Sequence, residues 1–190
     1  MEYITNLKKI YEYIKSDYTR YGHKPSLLKI LFTVMVGYRL NHRFVFSFWF
    51  RLCSCKNPFY LLARLLHRKY QVKYGLDIPV RVKIGYGLFI GHGIGIVIND
   101  ETVIGDNCNL SQFTTIGSNY YRPAVIGNNV YIGPSVCIVE NVIIGDNSTI
   151  GAGAVVVKDV PENATVAGVP AKVLNYNNPG RFVDNRWEPK

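Results

Sequence analysis

Ile126-Gly127-Asn128-Asn129-Val130-Tyr131-Ile132-Gly133-Pro134-Ser135-Val136-Cys137-Ile138-Val139-Glu140-Asn141-Val142-Ile143-Ile144-Gly145-Asp146-Asn147-Ser148-Thr149-Ile150 sets an isoleucine at every sixth residue. Working outward, the beat runs through Ile78, Ile84, Ile90 and Ile96, then Ile104, Leu110 and Ile116, and on to Val156. Eight of these thirteen residues are followed at once by glycine: Gly85, Gly91, Gly105, Gly117, Gly127, Gly133, Gly145 and Gly151. The fifth place of the hexad is also small or aliphatic, as at Val82, Leu88, Ile94, Cys108, Thr114, Val130, Val136, Val142, Ser148 and Ala154. Places five and one are two residues apart, so in a strand they share a face. Both are expected to point inward. The glycine after place one is expected to turn the corner at a positive φ, which is cheap only without a Cβ. Stacked coils pair their strands along the stack and bury one apolar column. A strict period of six reads as a parallel β-helix, whereas amphipathic hairpins would lose the register.

Two breaks interrupt the beat. Ile96 to Ile104 is eight residues, so two are extra, and Ile116 to Ile126 is ten, so four are extra. The second break makes residues 118–125 bulge outward. Insertions in a repeat array gather on one face, often the working one.

The formal charge of +9 is uneven: residues 1–76 hold 14 Lys+Arg against 3 Asp+Glu, and residues 77–190 hold 8 against 10. Such asymmetry suggests an anionic partner for the first part, whether membrane, nucleic acid or substrate. No recognisable nucleic-acid module is present. Residues 1–76 read as a basic, aromatic helical region. A first helix spans residues 1–22, with Ile4, Leu7, Ile10, Tyr11 and Ile14 on one face. Ser26 caps a second, reaching about Leu40. Further helices cover Phe44–Cys53 and Pro58–Tyr70. Phe46, Phe48, Trp49, Phe50, Arg51, Tyr60, Arg64, His67, Arg68 and Lys69 mix aromatic and basic character, which suits contact with an anionic membrane face or with further copies of the chain. The longest apolar runs, Ile30–Tyr38 and Phe44–Phe50, are too short to span a bilayer. Met1-Glu2-Tyr3-Ile4 is no signal peptide. Cys53, Cys55, Cys108 and Cys137 read as reduced thiols, which suits a cytoplasmic protein. The β-helix occupies 77–174, and 175–190 reads as a loose polar tail.

Asp77-Ile78-Pro79, Ile84-Gly85-Tyr86-Gly87 and Ile90-Gly91-His92-Gly93-Ile94-Gly95-Ile96-Val97 resemble the active-site coils of serine acetyltransferases. Ile150-Gly151-Ala152-Gly153-Ala154-Val155-Val156 and Ala167-Gly168-Val169-Pro170-Ala171-Lys172 resemble the closing signature of hexapeptide acyltransferases, and Gly37-Tyr38-Arg39-Leu40-Asn41-His42 resembles a helical segment of the serine enzymes. The resemblance implies a left-handed parallel β-helix, a hand that breaks the usual crossover rule. It implies a homotrimer, with a hexamer formed through residues 1–76 as a further option, and acetyl-CoA as co-substrate with no metal. By the same resemblance His92 is the general base, Asp77 its partner, and Ser118, Pro134 and Ala152 line the pantetheine arm. Lys158 and Lys172 meet the CoA phosphates. Gly91, Asp100, Tyr121 and Arg122 are placed at the acceptor.

The departures bear on the acceptor. Serine acetyltransferases carry aspartate where Gly91 stands, and an arginine–histidine pair where the shorter Tyr120-Tyr121-Arg122-Pro123 loop stands. Removing groups built to bond a small zwitterion should reject it, and tyrosines at a loop tip suit a sugar ring. These features lean towards capsule and exopolysaccharide O-acetyltransferases of the colanic acid type, with serine O-acetylation as the alternative. A zinc enzyme of this fold needs three histidines per site, and the repeat holds only His92. A non-catalytic scaffold would not need the His92–Asp77 pair.

Overall fold

The computed structural model describes residues 6–37 and 41–188. Ile4 of the expected first helix, and Tyr38, Arg39 and Leu40 of the serine-enzyme-like segment, lie outside the described residues. The hexads wind into a three-sided solenoid. Its first face stacks Leu76–Asp77, Ile96–Ile98, Thr115–Ile116, Cys137–Ile138 and Val155–Val156 in parallel. The second stacks Lys83–Ile84, Val103–Ile104, Val125–Ile126 and Ile143–Ile144. The third stacks Phe89–Ile90, Asn109–Leu110, Tyr131–Ile132, Thr149–Ile150 and Thr165–Ala167, closed by antiparallel Lys172–Asn175. Place-one and place-five residues fill the column, from Ile78, Leu88 and Ile90 to Ile150 and Ala154, all fully buried.

Three sequence expectations are corrected. The eight-residue interval lies between Ile90 and Ile98, not after Ile96. Ile98 pairs with place-one Ile116, and Ile96 pairs with Leu76. Both are buried, while Ile94, expected inside, is 47% exposed. Two isoleucines of one strand face look alike in sequence. The extra residues are absorbed in the turn 91–95, where His92, Gly93 and Gly95 all take positive φ. Second, the positive φ belongs to place four, not to the glycine after place one. Asn107, Asn129, Asn141 and Asn147 take it at 54–60°, as asparagine tolerates left-handed backbone better than most residues. Except at Gly91 and Gly117, the place-two glycines serve coil stacking instead: a Cβ on Gly105 would lie 2.5 Å from the Gly127 carbonyl oxygen, and one on Gly145 2.5 Å from the Glu162 nitrogen. Third, the tail is not loose. The Gly180 N–H donates to the Asn147 carbonyl (2.6 Å), Asn109 Nδ2 to the Phe182 carbonyl (2.8 Å) and the Trp187 N–H to Asn107 Oδ1 (2.7 Å).

Four helices cap the first coil among the described residues: α1 (Leu7–Arg20), α2 (Leu27–Val36), α3 (His42–Leu52) and α4 (Tyr60–Tyr74). The side chains of Asn6, Ser26 and Asn41 cap the first three. Arg51 of α3 is 1% exposed and locks the cap to the solenoid. It donates Nε and Nη2 to Asp17 of α1 (2.8 and 2.9 Å), Nη1 to the Ile84 carbonyl (2.7 Å) and Nη2 to the Gly85 carbonyl (2.7 Å). The second oxygen of Asp17 also receives the Leu88 N–H. The expectation that Phe46, Phe48, Phe50 and Arg51 face a membrane is therefore overturned: all four are core. The apolar surface lies elsewhere, at Leu28, Phe32 and Met35 of α2 and at Leu61 and Leu65 of α4. No helix among the described residues is long and apolar enough to cross a membrane.

Candidate active site

The irregular turn 91–95 sets the site. His92 stands on the edge between the third and first faces with φ 59° and an exposed side chain. A non-glycine residue in this region carries strain, and such positions gather at functional sites. His42 at the start of α3 holds the turn from behind: its Nε2 lies 3.2 Å from the His92 carbonyl oxygen and 3.3 Å from that of Gly93. Both atoms are acceptors, so the geometry assigns the hydrogen to Nε2 of His42. The His42 ring stacks on Tyr74 at 4.2 Å. The His92 ring itself makes no hydrogen bond, ion pair or ring contact among the described residues.

The space beside the glycines of this turn is partly filled. A Cβ on Gly93 would lie 2.7 Å from Arg43 Cγ, and one on Gly95 2.6 Å from the Phe113 ring. Only Gly91 is open, with nothing nearer than 3.7 Å.

Asp77 is exposed on the first face, opposite Val97, and accepts from Gln71 Nε2 at 3.4 Å. No hydrogen bond joins it to His92 within one chain. Asp100 pairs with Arg81 at 3.6 Å. The other expected residues divide between two edges. Gly91, His92, Pro134 and Ala152 follow strands of the third face, and Asp100, Ser118, Tyr121, Arg122 and Lys158 follow strands of the first. The pantetheine trio is therefore split within one chain. Lys172 lies exposed on the closing strand of the third face. The Pro134 carbonyl accepts the Gly153 N–H at 2.8 Å. Ala152 is exposed, and a Cβ on Gly153 would meet nothing within 4 Å. An extended thiol arm has open backbone to lie against there.

The four-residue insertion is held by a carboxylate that sequence reasoning missed. Glu140 Oε2 accepts the N–H groups of Asn119 (2.6 Å), Tyr120 (3.0 Å) and Tyr121 (3.3 Å), and the Ser118 hydroxyl (3.2 Å). The Tyr120 and Asn119 N–H groups hold its pKa below the usual carboxylate range. A regular coil is 18 residues, as from Val125 to Ile143. Adding the four extra residues places position 140 under position 118, a signal available in the numbering alone. The clamp leaves Tyr120 89% and Tyr121 69% exposed at the loop tip.

The profile "Bacterial transferase hexapeptide (six repeats)" matches residues 123–158. The serine acetyltransferase of Staphylococcus xylosus is 30% identical over 190 residues, spanning 95% of this chain and 86% of that protein. The chain belongs to the hexapeptide-repeat acyltransferase family. The serine acetyltransferase of Synechococcus elongatus is 36% identical over 118 residues, 60% of this chain but 48% of its own length, so the chain spans about half of that relative. Among solved structures, Neisseria gonorrhoeae serine acetyltransferase in complex with serine superposes with a TM-score of 0.69 at 29% identity, covering 89% of this chain and 70% of that one. A serine acetyltransferase in complex with CoA gives 0.67 at 27% identity, covering 88% and 71%. The solenoid is thus the left-handed β-helix of the hexapeptide-repeat proteins. These relatives carry the name serine acetyltransferase, which weighs against the capsule sub-type that the sequence suggested.

Proposed function

We propose that the chain is an acetyl-CoA-dependent O-acetyltransferase whose acceptor is the hydroxyl of L-serine. The carrying observation is the exposed His92 ring, on a turn whose backbone carbonyls His42 holds, with no hydrogen bond, ion pair or ring contact of its own among the described residues. A ring nitrogen of His92 takes the hydroxyl proton while the oxygen forms a bond to the thioester carbonyl carbon. Backbone N–H groups of the edge stabilise the tetrahedral oxyanion. The carbon–sulfur bond then breaks, and His92 returns the proton to the CoA thiolate. Asp77, Pro134, Ala152, Lys158 and Lys172 keep the roles that the family resemblance gives them. The two edges meet only if copies of the chain pack side by side, which supports a homotrimer with Ser118, Tyr121 and Arg122 of one copy beside His92 of the next.

Saccharide acetylation stands as a second reading, because Gly91 and the Tyr120-Tyr121-Arg122 loop lack the family's serine contacts. Thiol release from acetyl-CoA with L-serine or sugar acceptors separates the two. A kcat/KM above about 10⁴ M⁻¹s⁻¹ on L-serine, ordinary for an enzyme on its own substrate, upholds the first reading. A value far below that, with a sugar acceptor exceeding it, upholds the second.

A peripheral contact with an anionic membrane also belongs to this reading. Its support is the excess of 14 basic over 3 acidic residues in 1–76 beside exposed Leu28, Phe32 and Met35. Flotation with anionic liposomes at low salt tests it. Failure to float, together with a hexamer that falls to a trimer without residues 1–70, would assign this face to self-assembly.

A further inference from the structure

Between α4 and the first coil lies a polar pocket of about 420 Å³. On its helical wall Arg64 and Arg68 stand one turn apart, both exposed, and neither makes a hydrogen bond, ion pair or ring contact among the described residues. Like charges at this spacing repel. On the opposite wall Arg81 is engaged by Asp100, and Asp77 by Gln71. Three guanidinium groups therefore line the pocket against two carboxylates, of which only Asp100 has a cationic partner, so the lining keeps a net positive charge and neither arginine of the helical pair has an ion-pair partner among the described residues. Between the arginines His67 is 3% exposed, with an Nε2 that has no partner.

We propose that this pocket binds the anionic group, a carboxylate or a phosphate, of a small hydroxyl-bearing acceptor. The guanidinium fork matches such groups with two parallel hydrogen bonds. A neutral sugar would leave Arg64 and Arg68 facing each other uncompensated. The ammonium group of an amino acid would find Asp77 and Asp100 across the pocket, so a zwitterion satisfies both walls. The proposal rests on the acetyl-transfer reading through Asp77, the one residue shared by this pocket and the proposed catalytic set. It locates acceptor recognition where the loop departures left none: on α4 rather than beside Gly91.

The test uses the full-length protein, with inorganic phosphate and L-serine as probes in titration calorimetry, and acetyl transfer measured in parallel. Arg64→Gln/Arg68→Gln should weaken phosphate binding and raise the KM for L-serine, each about tenfold or more, the loss typical of a charge-assisted hydrogen bond. The KM for acetyl-CoA and the kcat at saturating serine should stay within about twofold, as lost ground-state binding requires. Arg64→Lys/Arg68→Lys should recover part of the loss. Arg81→Gln, on the other wall, gives an independent variant should the double substitution disturb α4. Phosphate binding absent from the wild type, or untouched by these substitutions, overturns the proposal. If the wild type binds phosphate through these arginines yet acetylates no serine, the anion site stands and L-serine fails as the acceptor.

Discussion

Acidifying the protein from pH 7 towards pH 4 should destabilise it through His67. The ring is packed between Phe46 (5.0 Å) and Phe50 (5.9 Å) and is 3% exposed. Burial pushes its pKa down to about 4, against a smaller raising effect of the Ile78 backbone. In the unfolded chain the ring takes up its proton near the ordinary value of about 6.5. Between those values the unfolded state binds more protons than the folded one, so stability falls as pH falls. The contribution is complete above about 6.5, and each pH unit of the gap is worth about 1.4 kcal/mol, or roughly 3 kcal/mol in all. That is a large share of the roughly 5–15 kcal/mol of a typical domain. Urea midpoints between pH 7 and pH 4.5 measure it, with His67→Gln as the reference. Glutamine keeps a polar amide at this position but does not titrate, and the surface carboxylates are common to both proteins. The wild-type curve should drop more steeply across the window. Parallel curves would refute the reasoning and show that burial does not lower the proton affinity of the His67 ring.

Arg51→Met should cost about 3–5 kcal/mol, because it leaves Asp17 charged, buried and without its partner; chemical denaturation measures it, and Asp17→Asn on the same background should recover part of the loss. Glu140→Gln should loosen the 118–121 loop at pH 7, read as faster amide exchange at Asn119, Tyr120 and Tyr121. In the wild type the protection of the same amides, measured against their intrinsic exchange at each pH, should be lost only on acidification: the Glu140 pKa is depressed, so its clamp is complete above the ordinary carboxylate value near about 4.3 and is lost as pH falls through the lower folded value. Gly105→Ala should destabilise the solenoid, through the 2.5 Å approach of its Cβ to the Gly127 carbonyl oxygen; a thermal midpoint unchanged from wild type would show that the coils can separate to admit it.

The column was legible because period six repeats one simple event, an inward aliphatic pair on each face. Ser26 as a cap was legible because its chemistry is local. The break near His92 was legible as a length but not as a place, since Ile96 and Ile98 are interchangeable in any pattern of apolar residues. The left-handed place was misassigned because glycine has two uses: at place two it yields to the neighbouring coil, while asparagine turns the corner. Arg51 read as surface charge because sequence shows the cost of burying a guanidinium, not the Asp17 carboxylate 34 residues away that compensates it. The tail read as loose because its hydrogen bonds are to asparagines on the solenoid edge, and polar composition does not show a docked backbone. Of the candidate site, His92 stood out in the sequence as the one histidine of the repeat, and the hold of His42 on its backbone did not.

The most direct test is acetyl transfer by His92→Ala. The ring is exposed and makes no hydrogen bond, ion pair or ring contact among the described residues, so the fold, the assembly and CoA binding should be unchanged. Release of CoA thiol in the presence of the acceptor should fall about 10²–10⁴-fold, the usual cost of removing a general base. Turnover close to wild type would contradict the account, because no other histidine lies in the repeat to take the proton.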